Sequence, residues 1–273
     1  MLSKLFSLFN KPKPGSPPQN MNTAFPQPRN QTAPASQHTQ PRKKIEASRI
    51  GELGEYKINI QLDQLPKECR SLSDLMLRNP KSRTGYSQID HLVITPYALF
   101  VIETKNYNGE IKGGRSDKQW SVSSRFKMYN PLMQNYGHIK AVEGVLADGP
   151  NGPDALQVPQ LQQVPQLQQV PKLRFVSMVS FTMRCRFSID PELRKIHSDE
   201  LVVYDTELSE FISRKLVRLK TEHPEPLFSQ EAMQRIYDKL SQANITDPAL
   251  RAEHIDGIKT AQKPSGHGQK NIK

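Results

Sequence analysis

Asp90, Glu103 and Lys105 are the residues of this chain whose types and spacing could do chemistry together. They lie in one run, Gln88-Ile-Asp-His-Leu-Val-Ile-Thr-Pro-Tyr-Ala-Leu-Phe-Val-Ile-Glu-Thr-Lys105. Gln88–Ile94 and Leu99–Thr104 are rich in β-branched residues and flank Thr95-Pro96-Tyr97-Ala98, so they read as two strands of a hairpin. If the strands fold back about Pro96-Tyr97, Asp90 faces Glu103 and Gln88 faces Lys105. Opposed residues share a face, about 5 Å apart at Cβ. Alternation adds Glu103 and Lys105 to that face. Gln88, Asp90, Glu103 and Lys105 are therefore expected to form one polar cluster. Leu92, Ile94, Leu99 and Val101 are expected on one face of the hairpin, and Ile89, Val93, Phe100 and Ile102 on the other. A hairpin apolar on both faces belongs inside a sheet covered on both sides.

Two carboxylates held this close repel unless something offsets their charge. A divalent cation does so, and an oxygen donor set suits Mg²⁺, which keeps waters for a phosphate substrate. A cation there polarises a phosphoryl oxygen and activates a water. Lys105 would orient that water or stabilise the developing negative charge. The plainer alternative is a charged strand rim with no chemistry.

The flanking elements must position this hairpin. A helix with Ile50, Leu53, Tyr56 and Ile60 at helical spacing starts at Ser48, its N-cap, and ends by Pro66. Arg70–Leu77 reads as a strand. Gly109–Gly113 is a short segment leading into a loop with the only tryptophan, Trp120. Pro131–Leu146 reads as a helix, with Asn130 as cap and proline in its first turn. Leu173–Phe181 and Leu201–Tyr204 read as strands. Thr206 is expected to cap a helix through Leu219, and a last helix covers Ser229–Leu240. Before Leu173, Val158-Pro-Gln-Leu-Gln-Gln163 is followed by an identical copy, Val164–Gln169, and a partial third. That unit is too short for a solenoid. Its prolines block a continuous helix or central strand, so residues 151–172 are expected to be an inserted surface loop.

The chain has 273 residues, 36% of them hydrophobic, and a formal net charge of +11. Residues 1–50 hold eight Lys/Arg against one acid, and residues 251–273 hold five against two. That leaves the middle of the chain with about +1, so the basic excess lies in the tails. Residues 1–47, rich in Pro and Gln, cannot bury enough apolar area to offset ordering entropy and are expected to be disordered. Residues 1–13, apolar at helical spacing with Lys4, Lys11 and Lys13, are candidates for a weak membrane-surface contact. No apolar run approaches the ~18 residues that span a membrane. Cys69 and Cys185 fit neither a metal-ligand spacing nor a disulfide framework, so a reducing, cytoplasmic setting is expected.

Five blocks in order resemble the nuclease-related domain family, part of the PD-(D/E)xK restriction-endonuclease-like superfamily. They are Gly51-Glu-Leu-Gly-Glu55, Gln88-Ile-Asp-His91, Phe100-Val-Ile-Glu-Thr-Lys-Asn-Tyr107 with Gly109, Trp120, and Asn130-Pro-Leu-Met-Gln-Asn-Tyr-Gly-His138. The resemblance implies an α/β, restriction-endonuclease-like core with a central mixed sheet flanked by helices, over residues 48–220. Residues 221–273 would add a C-terminal helix and a basic tail. It implies Asp90 and Glu103 as metal carboxylates, with Thr104 as a further ligand, and Lys105 as the catalytic lysine. Glu55 would be an additional acid of the site and Gln88 a further member. Gln134 and His138, four apart on one helix face, would contact substrate with Asn106. Taken alone, Glu55 would be a solvated acid near a helix N-terminus, His138 a surface residue, and Trp120 core rather than a stacking platform. Ala98 stands where the family often has glycine, which narrows the φ open to that turn.

The expected function is a Mg²⁺- or Mn²⁺-dependent nuclease acting on DNA. Two others stand beside it: a non-catalytic nucleic-acid-binding or targeting module on the same fold, and an interaction protein working through its tails.

Overall fold

The computed structural model describes residues 47–147 and 173–262, leaving aside the side chains of residues 47–53, 55, 261 and 262. The N-terminal tail, the hexapeptide repeats and the last eleven residues, on which several expectations fall, lie outside the described residues.

Five helices and nine strands make up the described chain: α1 (Ala47–Leu62), β1 (Arg70–Arg78), β2 (Tyr86–Ile94), β3 (Leu99–Lys105), β4 (Gly109–Gly113), β5 (Gln119–Val122), β6 (Phe126–Tyr129), α2 (Pro131–Ala147), β7 (Phe175–Phe181), β8 (Cys185–Ile189), β9 (Glu200–Tyr204), α3 (Leu208–Glu222), α4 (Gln230–Ala243) and α5 (Pro248–Gln262). The main sheet has the order β1-β2-β3-β7-β9. β1, β2 and β3 are antiparallel, and β3, β7 and β9 run parallel. The sheet is mixed, as expected.

Both faces of the main sheet are covered. Ile58 and Leu62 of α1 and Phe211 and Ile212 of α3 pack with Val93, Phe100 and Ile102. Val142 of α2 and Met233 and Leu240 of α4 pack with Leu92, Leu99 and Val101. The near-continuous apolar character of β2 and β3 follows from this double burial.

The hairpin closes as a two-residue turn. Thr95 N–H donates to Ala98 O at 3.1 Å, and Thr95 Oγ1 accepts Ala98 N–H at 3.1 Å. Ile94 then pairs with Leu99 and His91 with Ile102, the expected register. Ala98 is not among the non-glycine residues at positive φ, which are Asp74, Ser123 and Ser124 among the described residues. This turn therefore has no need of glycine.

Two expectations about alternation are corrected. Ile89 shares a core cluster with Leu92 and Ile94, while Val93 packs on the other face. Residues three apart cannot share a face under strict alternation, so β2 slips by one between Ile89 and Leu92. The β1–β2 ladder runs to Ser73 opposite His91 and resumes at Leu75 opposite Ile89, skipping the Asp74–Asp90 position. Asp74 has φ +52° there, a conformation that aspartate tolerates better than most residues. Arg251 of α5 bonds the Asp74 carboxylate at 2.6 Å. Gln88 therefore does not share the Glu103–Lys105 face; its amide donates to Asp74 Oδ1 at 2.8 Å.

The expected loop around Trp120 is a second sheet, of order β6-β5-β4-β8. Trp120 is fully buried and lies parallel to Phe181, with ring centroids 6.5 Å apart. It is core, as its residue type suggested. A Cβ on Gly113 would stand 2.3 Å from the Trp120 ring, so only glycine admits the indole at this point. Ser229 caps α4 through Ala232 N–H as expected. Thr206 does not cap α3: a short 3-10 turn, Asp205–Glu207, precedes the helix, and Glu207 holds the cap position. The chain also forms α5 after the helix expected to be last.

Candidate active site

Glu103 and Lys105 lie at the carboxyl end of β3, where that strand pairs with β7. The β2–β3 ladder ends at His91–Ile102. One residue further, the side chain of Asp90 replaces the ladder: its Oδ2 accepts the Thr104 backbone N–H at 2.6 Å. The strand pair thus fixes both carboxylates and the lysine on adjoining positions, although only two of the three are on one strand.

Helix α2 supplies the rest. Asn130 accepts Leu132 N–H at 2.9 Å and so starts the helix, while its Nδ2 donates to Asp117 O at 2.6 Å and ties that start to the second sheet. Asn135, fully buried, donates to Val101 O at 2.7 Å and to Ser177 Oγ at 2.9 Å. Those bonds seat α2 across β3 and β7. The next polar positions on its inner face then meet the hairpin. Gln134 Nε2 donates to Glu103 Oε1 at 2.7 Å, and Gln134 Oε1 accepts Lys105 Nζ at 3.0 Å. His138 Nε2 lies 3.1 Å from Glu103 Oε2, and Lys105 Nζ lies 2.5 Å from Glu103 Oε1.

Glu103 is 3% exposed, a burial that requires partners for a charged carboxylate. Burial alone would raise its pKa, but Lys105, with help from His138, outweighs burial and holds it at about 2. Burial would lower Lys105; Glu103 overcomes that and, with Asp90 and Tyr107, raises it above the ordinary lysine range. Both groups are therefore charged at neutral pH, which is the pattern of a paired site rather than of two neutralised groups.

The expected site residues fall in different places. Asp90, Glu103, Lys105, Gln134 and His138 come together, with Thr104 joined through its backbone N–H. Gln134 and His138 direct their bonds to Glu103 and Lys105. Asn106 sits next to the cluster and accepts from Thr182 Oγ1 at 3.1 Å and Arg184 Nη2 at 2.7 Å. Gln88 is outside it, on Asp74. Glu55 is on α1 beside Gly54, whose Cβ position would lie 3.6 Å from Thr104 Cγ2, so this turn of α1 adjoins the end of β3; the Glu55 side chain is not described.

Sequence reasoning missed Asn135 and Arg184. Asn135 was legible in principle, because positions 131, 135, 138 and 142 share the inner face of α2. Arg184 was not, since its bond to Asn106 joins residues far apart in the chain.

Two carboxylates beside one lysine leave a local negative balance, and their hard oxygens fit a divalent cation that keeps most of its water. Asp90 and Glu103 are the residues that would hold it. The described residues contain no group of three or more His, Cys, Asp or Glu able to enclose a metal. The carboxylates at this point are Asp90, bonded to the Thr104 N–H, and the buried Glu103, bonded to Lys105, Gln134 and His138.

Residues 50–180 match the family model described as the nuclease-related domain. The family resemblance read from the sequence is borne out over that segment. A protein of Bacillus anthracis, itself described as uncharacterized, is 28% identical over 210 residues, covering 75% of this chain and 82% of that protein. No solved structure matches the chain. Among the described residues, no helix is long and apolar enough to cross a membrane.

Proposed function

We propose, from the nuclease-related domain at residues 50–180 and the convergence of Asp90, Glu103 and Lys105, that this protein is a metal-dependent nuclease hydrolysing phosphodiester bonds of DNA. The observation that carries the reading is the Gln134 amide, which bonds Glu103 and Lys105 at once and holds a carboxylate and an ammonium in fixed relation. Simple strand-rim charges have no need of such a clamp.

Asp90 and Glu103 would ligate Mg²⁺ or Mn²⁺, which when bound polarises a phosphoryl oxygen and acidifies a water. Lys105 remains protonated, because Glu103 raises its pKa. In that form it is a donor and a positive charge. Its place is beside the phosphoryl oxygens, where negative charge grows as the water oxygen bonds to phosphorus, giving its proton to solvent, and the ester P–O bond breaks, the leaving oxygen taking a proton from solvent. A fixed cation there stabilises the transition state more than the ground state. Gln134 and His138 keep Glu103 from rotating away.

One observation favours the alternative of a non-catalytic binding module on the same fold. Both Glu103 oxygens already have protein partners, so a cation must compete with them. Incubating the full-length protein with supercoiled and linear DNA, with and without Mg²⁺ or Mn²⁺, separates the two readings. Cleavage only with metal supports the nuclease. DNA binding with no cleavage under any metal supports the binding module. A location in a reducing compartment, cytoplasmic in the simplest case, is part of the same proposal and rests on two cysteines that are both free.

A further inference from the structure

The second sheet buries one face and leaves the other to solvent. Ile111, Trp120, Val122 and Met128 point into the core. The residues between them are exposed: Lys112 on β4, Lys127 and Tyr129 on β6, and Arg186 on β8. The ladders place these on one face. Lys112 is opposite Ser121 of β5 and Ser188 of β8, Ser121 is opposite Lys127, and Arg186 is opposite Glu110, the one acid there. Strands about 5 Å apart set Lys112 and Lys127 roughly 10 Å from each other, with Arg186 diagonal to Lys112.

The charge of the chain's middle is concentrated here. Residues 109–129 and 184–189 hold seven Lys/Arg against two acids, while 51–250 as a whole carries about +1, so the rest of that span is about −4. The net positive charge of residues 51–250 thus lies in these two segments. This face also runs into the candidate site. Arg184, two residues before Arg186, donates to Asn106, the neighbour of Lys105, and Thr182 N–H donates to Lys105 O at 3.2 Å. The seven residues from Lys105 to Lys112 span at most about 25 Å.

We propose that the exposed face of the β6-β5-β4-β8 sheet seats the phosphodiester backbone of DNA through Lys112, Lys127 and Arg186 and leads it past Arg184 to Lys105. This rests on the nuclease reading for what happens at Lys105, but the surface is testable without cleavage. A polyanion is the occupant because the face offers separated cations and small hydroxyl side chains. Its one large apolar side chain is Tyr129, beside Lys127. Contacts of this kind fix the position of a duplex without reading its sequence.

The test uses the full-length Asp90→Ala protein, which keeps the DNA intact, and a short fluorescent duplex titrated across a range of salt. Adding Lys112→Ala, Lys127→Ala and Arg186→Ala should weaken binding and make the slope of log K against log salt shallower by about 2–3, since each lost phosphate contact removes about 0.9. A control triple on α3, Arg214→Ala, Arg218→Ala and Lys220→Ala, removes equal charge and should leave the slope unchanged. An unchanged slope in the sheet variant, an equal loss in the control, or no DNA binding by the parent would each overturn the proposal. Wild-type cleavage with an unchanged slope would sink this surface alone. A lost slope in a protein that never cleaves would sink the nuclease reading alone.

Discussion

Asp90 Oδ2 accepts the backbone N–H of Thr104 at 2.6 Å, one residue beyond the last pair of the β2–β3 ladder. The side chain takes over from a strand carbonyl at the point where the two strands part. On the other side of β2 the β1–β2 ladder is interrupted at the same residue, with left-handed Asp74 at the skipped position. Asp90 is thereby fixed against β3 while Glu103 and Lys105 emerge on the α2 side. A straight hairpin would have continued the ladder and left Asp90 an ordinary cross-strand neighbour.

Replacing Gln134 with alanine should slow cleavage by roughly 10–100-fold, the scale seen when a residue supporting a ligand is lost. The Gln134 amide holds Glu103 and Lys105 in relation, so DNA affinity should be unchanged. Single-turnover cleavage beside equilibrium binding reads both. A rate within twofold of wild type would remove Gln134 from the account.

Gly113→Ala should lower Tm by roughly 3–8 °C, the effect of forcing a methyl into a filled core. The new Cβ would stand 2.3 Å from Trp120 Cδ1, and the indole, bonded to Gly114 O at 2.9 Å, has little room to retreat. Near-ultraviolet dichroism of the single tryptophan should change with it. An unaltered Tm and spectrum would show that the second sheet yields more readily than its packing implies.

His91 predicts an acid-sensitive fold. Burial lowers its pKa from 6.5 to about 4, against the opposing pull of Asp74. Unfolded His91 takes up a proton more readily over that interval, so stability is full above about pH 6.5 and falls as pH drops toward 4, by roughly 3 kcal/mol. Urea unfolding of metal-free protein at pH 7 and pH 4.5 measures this. His91→Gln, which keeps a polar group beside Asn59, should flatten the dependence. An equal dependence in that variant would place the acid sensitivity elsewhere.

The main sheet and the hairpin register were legible because apolar residues crowd both faces of β2 and β3, and Thr95-Pro96-Tyr97-Ala98 allows few loop lengths. Asp90, Glu103 and Lys105 followed from that register. The role of Gln88 did not, because a one-residue slip leaves no trace in a run where every other position is already apolar. β5, β6 and β8 were missed for a related reason. They are four or five residues long, carry polar residues on the open face, and are held by Trp120 packing rather than by their own propensity. The helix α5 has a weak apolar stripe and is fixed by long-range bonds such as Arg251 to Asp74, which a single sequence does not display.

The most direct test of the site pairs Mn²⁺ calorimetry with plasmid nicking in Asp90→Ala and Lys105→Ala. Asp90→Ala should lose both metal binding and cleavage. Lys105→Ala should keep the fold and bind Mn²⁺ about as well as wild type, because an ammonium is not a cation ligand and Glu103 retains Gln134 and His138. Its nicking should fall by about two orders of magnitude or more, the usual scale for losing one transition-state stabiliser. Wild-type nicking by Lys105→Ala, or Mn²⁺ binding undiminished in Asp90→Ala, would contradict the assignment of this cluster as the catalytic centre.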